Sequence, residues 1–241
     1  PTEQSPIASL ADIRALRQNL PGRDEAAEAE AQRRNAILTK PPGALADLED
    51  IAIFMAGWQA RALPEVNHPR TAVFAGNHGV AAQGVSAFPA EVTAQMVLNF
   101  QAGGAAVNQL VEALDGDLMV YEMALDVPTA DFTQGPAMSD EECAQAMAYG
   151  MMAVEPGVDL LMLGEMGIAN TTSAAAIYHA LYGGQAEYWT GPGTGVEGAA
   201  LENKIRVVRE GAALHAADAG CLLYTSPSPP DRQKSRMPSS A

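Results

Sequence analysis

The sequence predicts an α/β fold in which helices flank a parallel β-sheet. Short apolar runs alternate with longer segments of helical periodicity, which is typical of such sheets. Loops of glycine and polar residues follow the apolar runs, where strands of this fold class usually end. The chain has 241 residues, 48% of them hydrophobic, which is enough for one large core with a small appendage.

Three helical segments open the chain. Helical periodicity extends over residues 9–20 and 26–38, and Thr39-Lys-Pro-Pro-Gly43 then ends the pattern, because proline does not continue a helix. A third helix is predicted over residues 45–60, with five apolar side chains on one face: Leu45, Leu48, Ile51, Ala52 and Met55.

Strands and helices alternate after this segment. Strands are predicted over the apolar runs 71–76, 117–121, 158–163 and 186–190. Helices are predicted over 90–100 and 105–114, which Gly103-Gly104 separates, and over 139–154, where Ser139 provides an N-cap and acidic residues follow it. The Ala-rich stretch 171–181 and the segment 201–217, interrupted by Gly211, complete the pattern. This order predicts a Rossmann-like sheet covered on both faces.

Charge and composition restrict the possible functions. The chain has 14 Lys and Arg against 29 Asp and Glu, and its net charge of −15 repels nucleic acid. Cys143 and Cys221 form no C-x-x-C motif, which suits the reducing cytoplasm. The four histidines lack metal-ligand spacing, so we expect no metal. We expect no membrane contact, because no signal peptide is visible and no apolar run approaches about 20 residues.

The most informative loop follows the third predicted strand. It reads Gly164-Glu-Met-Gly-Ile-Ala-Asn-Thr-Thr-Ser-Ala174 and places Glu165 beside two glycines, just before a predicted helix. The N–H groups of a helix N-terminus favour an anion, and a nearby carboxylate can transfer protons. A carboxylate in this position can equally stabilise the helix N-terminus, so both interpretations stay open.

Two other loops carry candidate ligand-binding groups. Ser86 and Gln95 can hydrogen-bond a flat heterocycle, with Phe88 and Met96 against its faces, although an ordinary turn and helix would also explain them. His78 has no partner spacing for a catalytic triad.

The second of these loops is Gly191-Pro-Gly-Thr-Gly195. It allows the backbone to approach a phosphate, and Lys204 can add a positive charge. The alternative is a glycine-rich turn that opens a helix. The loop matches neither the G-x-G-x-x-G spacing nor a Walker A motif.

Eight motifs occur in the order of a known family. They are Leu38-Thr-Lys-Pro-Pro-Gly43, Asn77-His-Gly-Val80, Gly84-Val-Ser86, Val92-Thr-Ala-Gln-Met96, Gly103-Gly-Ala-Ala106, Pro136-Ala-Met-Ser139, Gly164-Glu-Met-Gly-Ile-Ala-Asn-Thr-Thr172, and Gly193-Thr-Gly195 with Lys204. From about Leu38 to Cys221 the chain closely resembles the nicotinate-nucleotide–dimethylbenzimidazole phosphoribosyltransferase family.

This resemblance implies a specific reaction. The phosphoribosyl group of nicotinate mononucleotide moves to 5,6-dimethylbenzimidazole, and the products are α-ribazole 5′-phosphate and nicotinate, in synthesis of the cobalamin lower ligand. The family needs no cofactor or metal, and it is a cytoplasmic homodimer. Two other functions remain open from the residues themselves, namely a dinucleotide-dependent oxidoreductase and a non-catalytic nucleotide-binding protein.

The resemblance also implies roles for individual residues. Glu165 is the auxiliary carboxylate near the reacting centre, and the benzimidazole pocket contains Ser86, Phe88, Gln95 and Met96. The phosphate is held by Gly167, Gly193, Thr194, Gly195 and Lys204, beneath a loop formed by Asn170, Thr171 and Thr172. Three residues depart from the family pattern: Asn77 replaces Asp, Pro192 replaces Arg, and Ala169 replaces Gly.

The domain organisation follows from the same resemblance. Residues 1–60 are expected to form part of a small helical domain, of which only a part is present, and residues 61–221 the α/β domain. The Ser- and Pro-rich residues 222–241 resemble translated sequencing adapter, so we expect a non-native, disordered tail. Since the family's general base lies beyond the position of Cys221, we expect this chain to have little or no transferase activity.

Overall fold

The computed structural model describes residues 9–215. Cys221 and the predicted tail lie outside the described residues. The chain forms two compact units. The first contains the residues up to Ala75, Ala94–Met123 and Asp140–Met166, and the second contains Gly76–Thr93, Ala124–Ser139 and the residues from Gly167 onward. The proposed domain boundary between residues 60 and 61 stays a prediction.

A three-stranded parallel sheet lies in the first unit. Its strands are β1 (Pro69–Ala75), β2 (Asp117–Glu122) and β3 (Leu160–Met166), in the order β2-β1-β3. Ala75 pairs with Glu122 on one side and with Met166 on the other, so the three carboxyl ends are level. The parallel sheet flanked by helices confirms the predicted α/β class.

Five helices of the first unit follow the predicted pattern: α1 (Leu10–Arg17), α2 (Glu25–Ile37), α3 (Asp47–Gln59), α5 (Ala106–Ala113) and α6 (Asp140–Met151). Helix α4 (Val92–Gln101) begins in the second unit and continues in the first. Polar side chains cap the first two helices. Ser9 and Asp12 form a reciprocal capping box at α1, and the Asp24 carboxylate accepts a hydrogen bond from the Ala27 N–H at 2.8 Å.

The apolar face predicted for α3 is largely exposed. Leu48 is 63% exposed, and Ile51 is 50% exposed. The helix instead contacts α2 near Gly57, whose carbonyl accepts a hydrogen bond from the Asp24 N–H at 2.8 Å. Small residues there, including the fully buried Ala56, allow the two backbones to approach closely.

One predicted strand is wrong. Residues 186–190 begin with the short helix α8 (Ala186–Trp189), so the described sheet has three strands instead of the four that were predicted. The aromatic residues suggested a strand, but Trp189 stacks on Tyr178 at a centroid distance of 5.5 Å, and its indole N–H donates to the Gly183 carbonyl at 2.8 Å. These tertiary contacts stabilise the helical turn. The loop that starts at Gly191 therefore follows a helix, not a strand.

The third strand is less buried than predicted. Leu163 is 73% exposed, although the sequence predicted a sheet covered on both faces.

The second unit has its own apolar core beneath α7 (Asn170–Tyr182) and α9 (Gly198–Leu214). Val80, Val207 and Val208 are almost completely buried in it. The sequence suggested that Gly211 interrupts this helix, but α9 continues through it. A Cβ atom at Gly211 would lie 2.2 Å from Cε2 of Phe132, so the glycine allows the aromatic ring to pack against the helix.

Candidate functional site

Most candidate residues lie in the second unit. They are Ser86, Phe88, Gly167, Asn170, Thr171, Thr172, Gly193, Thr194, Gly195 and Lys204. The other three lie in the first unit. Glu165 is the exposed penultimate residue of β3, and Gln95 and Met96 belong to α4.

Lys204 is the main charged group of this site. Its side chain extends from α9 and is 1% exposed. The ammonium donates to Oγ1 of Thr171 and to the Gly191 carbonyl, both at 2.9 Å. Burial lowers the pKa of Lys204, because removal from water disfavours the charged form. An ammonium has three N–H donors, so it can still bind an anionic oxygen, which would stabilise its charge.

Gly193 brings the glycine loop against this ammonium. Its φ is +56°, and a Cβ atom there would lie 2.6 Å from Nζ of Lys204 and 2.9 Å from Oγ1 of Thr171. Only glycine permits this combination of left-handed backbone and close approach. The loop is closed by N–H donors of Gly195 and Val196, which bind the Pro192 carbonyl at 3.1 and 3.0 Å.

The turn before α7 is held in an unusual conformation. A Cβ atom at Gly167 would lie 2.3 Å from the Gly76 carbonyl oxygen and 3.3 Å from the His78 ring, so the turn requires glycine. Ala169 has a φ of +71°, which costs a non-glycine residue free energy. Glycine, common in the family at that position, would adopt this φ without strain.

The first turn of α7 differs from the sequence-based expectation. The N–H groups of Asn170 and Thr172 donate to carbonyls of the preceding turn, at 3.1 and 3.0 Å, and are already engaged. The hydroxyl oxygen of Thr172 is buried without a hydrogen-bond partner among the described residues. At these two positions the first turn of α7 therefore offers no unoccupied backbone donor, and the Thr171 hydroxyl and the Lys204 ammonium are the polar groups beside it.

Two hydroxyl groups connect the other candidate loop to the glycine loop. Oγ of Ser86 lies 2.9 Å from Oγ1 of Thr194, and the Ala87 N–H donates to the same Thr194 oxygen at 2.9 Å. Phe88 is 53% exposed, and its N–H donates to Oγ of Ser86 at 3.2 Å.

Sequence reasoning missed two residues that support the turn at Gly167. Thr93 is fully buried, and its hydroxyl accepts a hydrogen bond from the Ile168 N–H at 3.1 Å. His78 packs against Gly167, and its Nδ1 lies 3.4 Å from Oγ of Ser173. Burial lowers the pKa of His78. The sequence signal for Thr93 was a polar residue in the apolar first turn of a predicted helix. No neighbouring residue in the sequence indicated what His78 contacts.

Replacing Thr93 by valine should destabilise the turn. The substitution keeps the side-chain shape but leaves the buried Ile168 N–H without an acceptor, which costs about 1–3 kcal/mol. We expect faster hydrogen exchange of the Ile168 amide in Thr93→Val than in the wild type. Thr93→Ser keeps the acceptor and should keep this amide protected. Equal exchange in the valine and serine variants would contradict the role of the hydroxyl.

Residues 9–215 contain neither a metal-binding cluster nor a membrane-spanning helix. No group of three or more His, Cys, Asp or Glu side chains there could hold a metal ion. In the same part of the chain, no helix combines the length and the apolar character that crossing a bilayer requires.

Comparison with known proteins identifies the family. A family model described as phosphoribosyltransferase matches residues 20–225. The nicotinate-nucleotide–dimethylbenzimidazole phosphoribosyltransferase of Ruegeria pomeroyi is 58% identical, over 89% of this chain and 64% of its own length. The enzyme of that name from Sinorhizobium medicae is also 58% identical, over 85% of this chain and 60% of its own length. The chain thus spans less than two thirds of these relatives.

A solved structure agrees with these matches. The crystal structure of CobT from Thermus thermophilus superposes with a TM-score of 0.71 at 41% identity, covering 78% of this chain and 62% of that one. The resemblance inferred from the eight motifs is confirmed. On the extent of the family match and the identity to these relatives, the chain belongs to the phosphoribosyltransferase family.

Proposed function

We propose that this chain provides the substrate sites for transfer of the phosphoribosyl group of nicotinate mononucleotide to 5,6-dimethylbenzimidazole, a reaction that gives α-ribazole 5′-phosphate and nicotinate. The names of the relatives support this reaction. The observation that carries it in this chain is the buried Lys204 ammonium, which lies against Thr171 and the glycine loop. A buried cation with uncharged acceptors suits the phosphate of a small substrate.

The reaction needs positioning more than strong acid catalysis. The bond between the ribose anomeric carbon and the pyridinium nitrogen breaks, and nicotinate leaves with the bonding electrons. A benzimidazole ring nitrogen forms the new bond to that carbon, and the other ring nitrogen loses its proton. Holding both substrates in line supplies much of the rate acceleration, and a carboxylate can accept the proton.

We assign the residues accordingly. Lys204, Thr171 and the loop Gly193-Thr-Gly195 hold the phosphate, together with the turn at Gly167 and the adjoining Asn170 and Thr172. Ser86, Phe88, Gln95 and Met96 contact the benzimidazole. Glu165 acts as the auxiliary carboxylate. These roles need no cofactor or metal, and the full-length enzyme of this family is expected to be a cytoplasmic homodimer.

Neither alternative function has a comparable observation in its favour. A dinucleotide-dependent oxidoreductase needs its glycine fingerprint directly after a strand, whereas Gly191 follows α8. A nucleotide-binding protein without catalytic function would bind the mononucleotide but never release nicotinate from it.

The test is the binding of each substrate to the 241-residue chain, measured by isothermal titration calorimetry. Nicotinate mononucleotide should bind at least about 10-fold more tightly than nicotinate riboside, because the riboside lacks the phosphate that Lys204 contacts. Dimethylbenzimidazole should bind as well. Equal affinity for mononucleotide and riboside would contradict the phosphate site, and failure of dimethylbenzimidazole to bind would contradict the base site.

The affinity for the mononucleotide should also depend on pH. The lowered pKa of Lys204 means that the ammonium loses its proton at a lower pH than the ordinary lysine value of 10.5. The phosphate stays dianionic above about pH 7, so above that pH the affinity should fall as the pH rises toward 10.5 and the ammonium loses its proton.

The stability of the ligand-free protein should change with pH in the opposite direction to the affinity. The unfolded chain keeps the proton that the folded chain has lost, so stability rises with pH below 10.5. Calorimetry and urea unfolding across this range measure the two slopes, and Lys204→Met should abolish both contributions.

A further inference from the structure

The hydroxyl of Thr194 joins two loops that are distant in sequence. We call Gly84–Pro89 the base loop and Gly191–Gly195 the phosphate loop. Oγ1 of Thr194 lies 2.9 Å from Oγ of Ser86 and accepts a hydrogen bond from the Ala87 N–H at 2.9 Å. Among residues 9–215, the hydrogen bonds between the two loops both end on this one oxygen.

Both loops contain exposed residues that a bound ligand would cover and hold in one conformation. Gly84, Gly193 and Gly195 have positive φ angles, and Phe88 and the phosphate loop are exposed. Ordering such segments costs conformational entropy. A ligand that orders one loop therefore lowers the cost of ordering the other, provided that a specific contact joins them.

One of the two possible donor–acceptor directions of the Ser86–Thr194 hydrogen bond would favour binding of the base. A hydroxyl group offers one donor and two acceptor positions. Oγ of Ser86 already accepts from the Phe88 N–H at 3.2 Å. If Thr194 donates its proton to Ser86, the Ser86 hydroxyl keeps its own proton for an unprotonated ring nitrogen. In that direction the Thr194 bond leaves the Ser86 donor available to a heterocycle; in the opposite direction Ser86 donates to Thr194 instead.

We propose that Thr194 couples the two substrate sites, so that the phosphate-bearing substrate and the base each bind more tightly when the other is present. The coupling rests on the proposed function, because it takes these compounds as the ligands of the two loops. Thr194 is a positioning residue in this role, acting through Ser86 and Ala87. The coupling is reciprocal, since each ligand must raise the affinity of the other by the same factor.

The experiment uses ribose 5-phosphate as the phosphate-bearing probe, because it lacks a leaving group and cannot react. Its dissociation constant is measured by calorimetry with and without saturating dimethylbenzimidazole, and the reverse titration is measured as well. We expect the base to tighten ribose 5-phosphate binding roughly 5-fold, with the same factor in reverse. Thr194→Val should reduce this factor to one, and Thr194→Ser should retain it. A purely structural role would weaken each ligand separately without changing the ratio.

A second substitution tests the same bond from its other end. Ser86→Ala should also abolish the coupling, and the double variant with Thr194→Val should lose no more coupling than either single variant. Independent binding in the wild type, or coupling that persists in both Thr194→Val and Ser86→Ala, would overturn the proposal. If the wild type binds both ligands independently, only the coupling fails; if it binds neither, the proposed function fails with it.

Discussion

Replacing Lys204 by methionine should weaken nicotinate mononucleotide binding by about 10- to 100-fold. A hydrogen bond to a charged group contributes about 1.5–3 kcal/mol, and the variant loses the ammonium that would provide it. The residue is 1% exposed, so solvent screens its charge little. Calorimetric titration of the variant with mononucleotide and with riboside measures the effect. Affinity for the riboside should change little, because the riboside carries no phosphate.

The geometry and a matched control show whether the loss of affinity in Lys204→Met comes from misfolding or from the change in net charge. Methionine has a similar length, and the acceptors left behind, Thr171 and Gly191, are exposed enough for water to replace the ammonium. The matched control is Arg206→Met, which removes an exposed cation from the same helix. Its mononucleotide affinity should stay within about 2-fold of the wild type, because an exposed charge is screened. A similar loss of affinity in both variants would show that net charge, not the buried ammonium, attracts the phosphate.

Replacing Gly167 by alanine should strongly destabilise the fold. The new Cβ atom would lie 2.3 Å from the Gly76 carbonyl oxygen, and a backbone atom cannot move aside as a flexible side chain does. We expect a loss of about 3 kcal/mol, which corresponds to a decrease in Tm of roughly 6–12 °C. Mononucleotide affinity should fall as well, because the displaced turn carries the start of α7 and Thr171.

The control for this substitution is Gly135→Ala in the same unit. A Cβ atom at Gly135 would have no neighbour within 4 Å, and its φ lies outside the left-handed region. Its Tm should stay within about 2 °C of the wild type, because a surface substitution of this kind changes stability by no more than about 0.5 kcal/mol. Thermal unfolding followed by circular dichroism compares the two. A Gly167→Ala variant as stable as Gly135→Ala would mean that the turn can relax, and the close packing at Gly76 would then be unimportant.

Much of the fold could be predicted from periodicity and turn residues. The strands β1, β2 and β3 and most helices were expected near their observed positions, because apolar runs and capping residues act locally. The strand at 186–190 was wrong, because the contacts of Trp189 with Tyr178 and Gly183 involve residues that local patterns do not bring together. The partial exposure of α3 could not be read from its apolar face either, since burial depends on what packs there.

In the candidate site, too, some features could be predicted from the sequence and others depend on contacts between distant segments. Lys204 and Gly193 were selected for charge and flexibility, and the structure brings them together with Thr171. Thr93 was not selected, because its function depends on the Ile168 amide, 75 residues further along the chain. The pairing of Ser86 with Thr194 was likewise hidden, as it joins residues 108 positions apart.

By itself, the sequence determined the α/β class, the family through eight ordered motifs, and the residue types that can bind a phosphate and a flat base. These properties depend on residue identity and on short spacings, which a sequence contains directly. Only the tertiary structure decided that Lys204 is buried with uncharged partners, that Gly167 and Gly193 leave no room for a side chain, and that Thr194 joins two loops. Such features arise from contacts between distant segments, whose energies depend on distance and on exclusion of water.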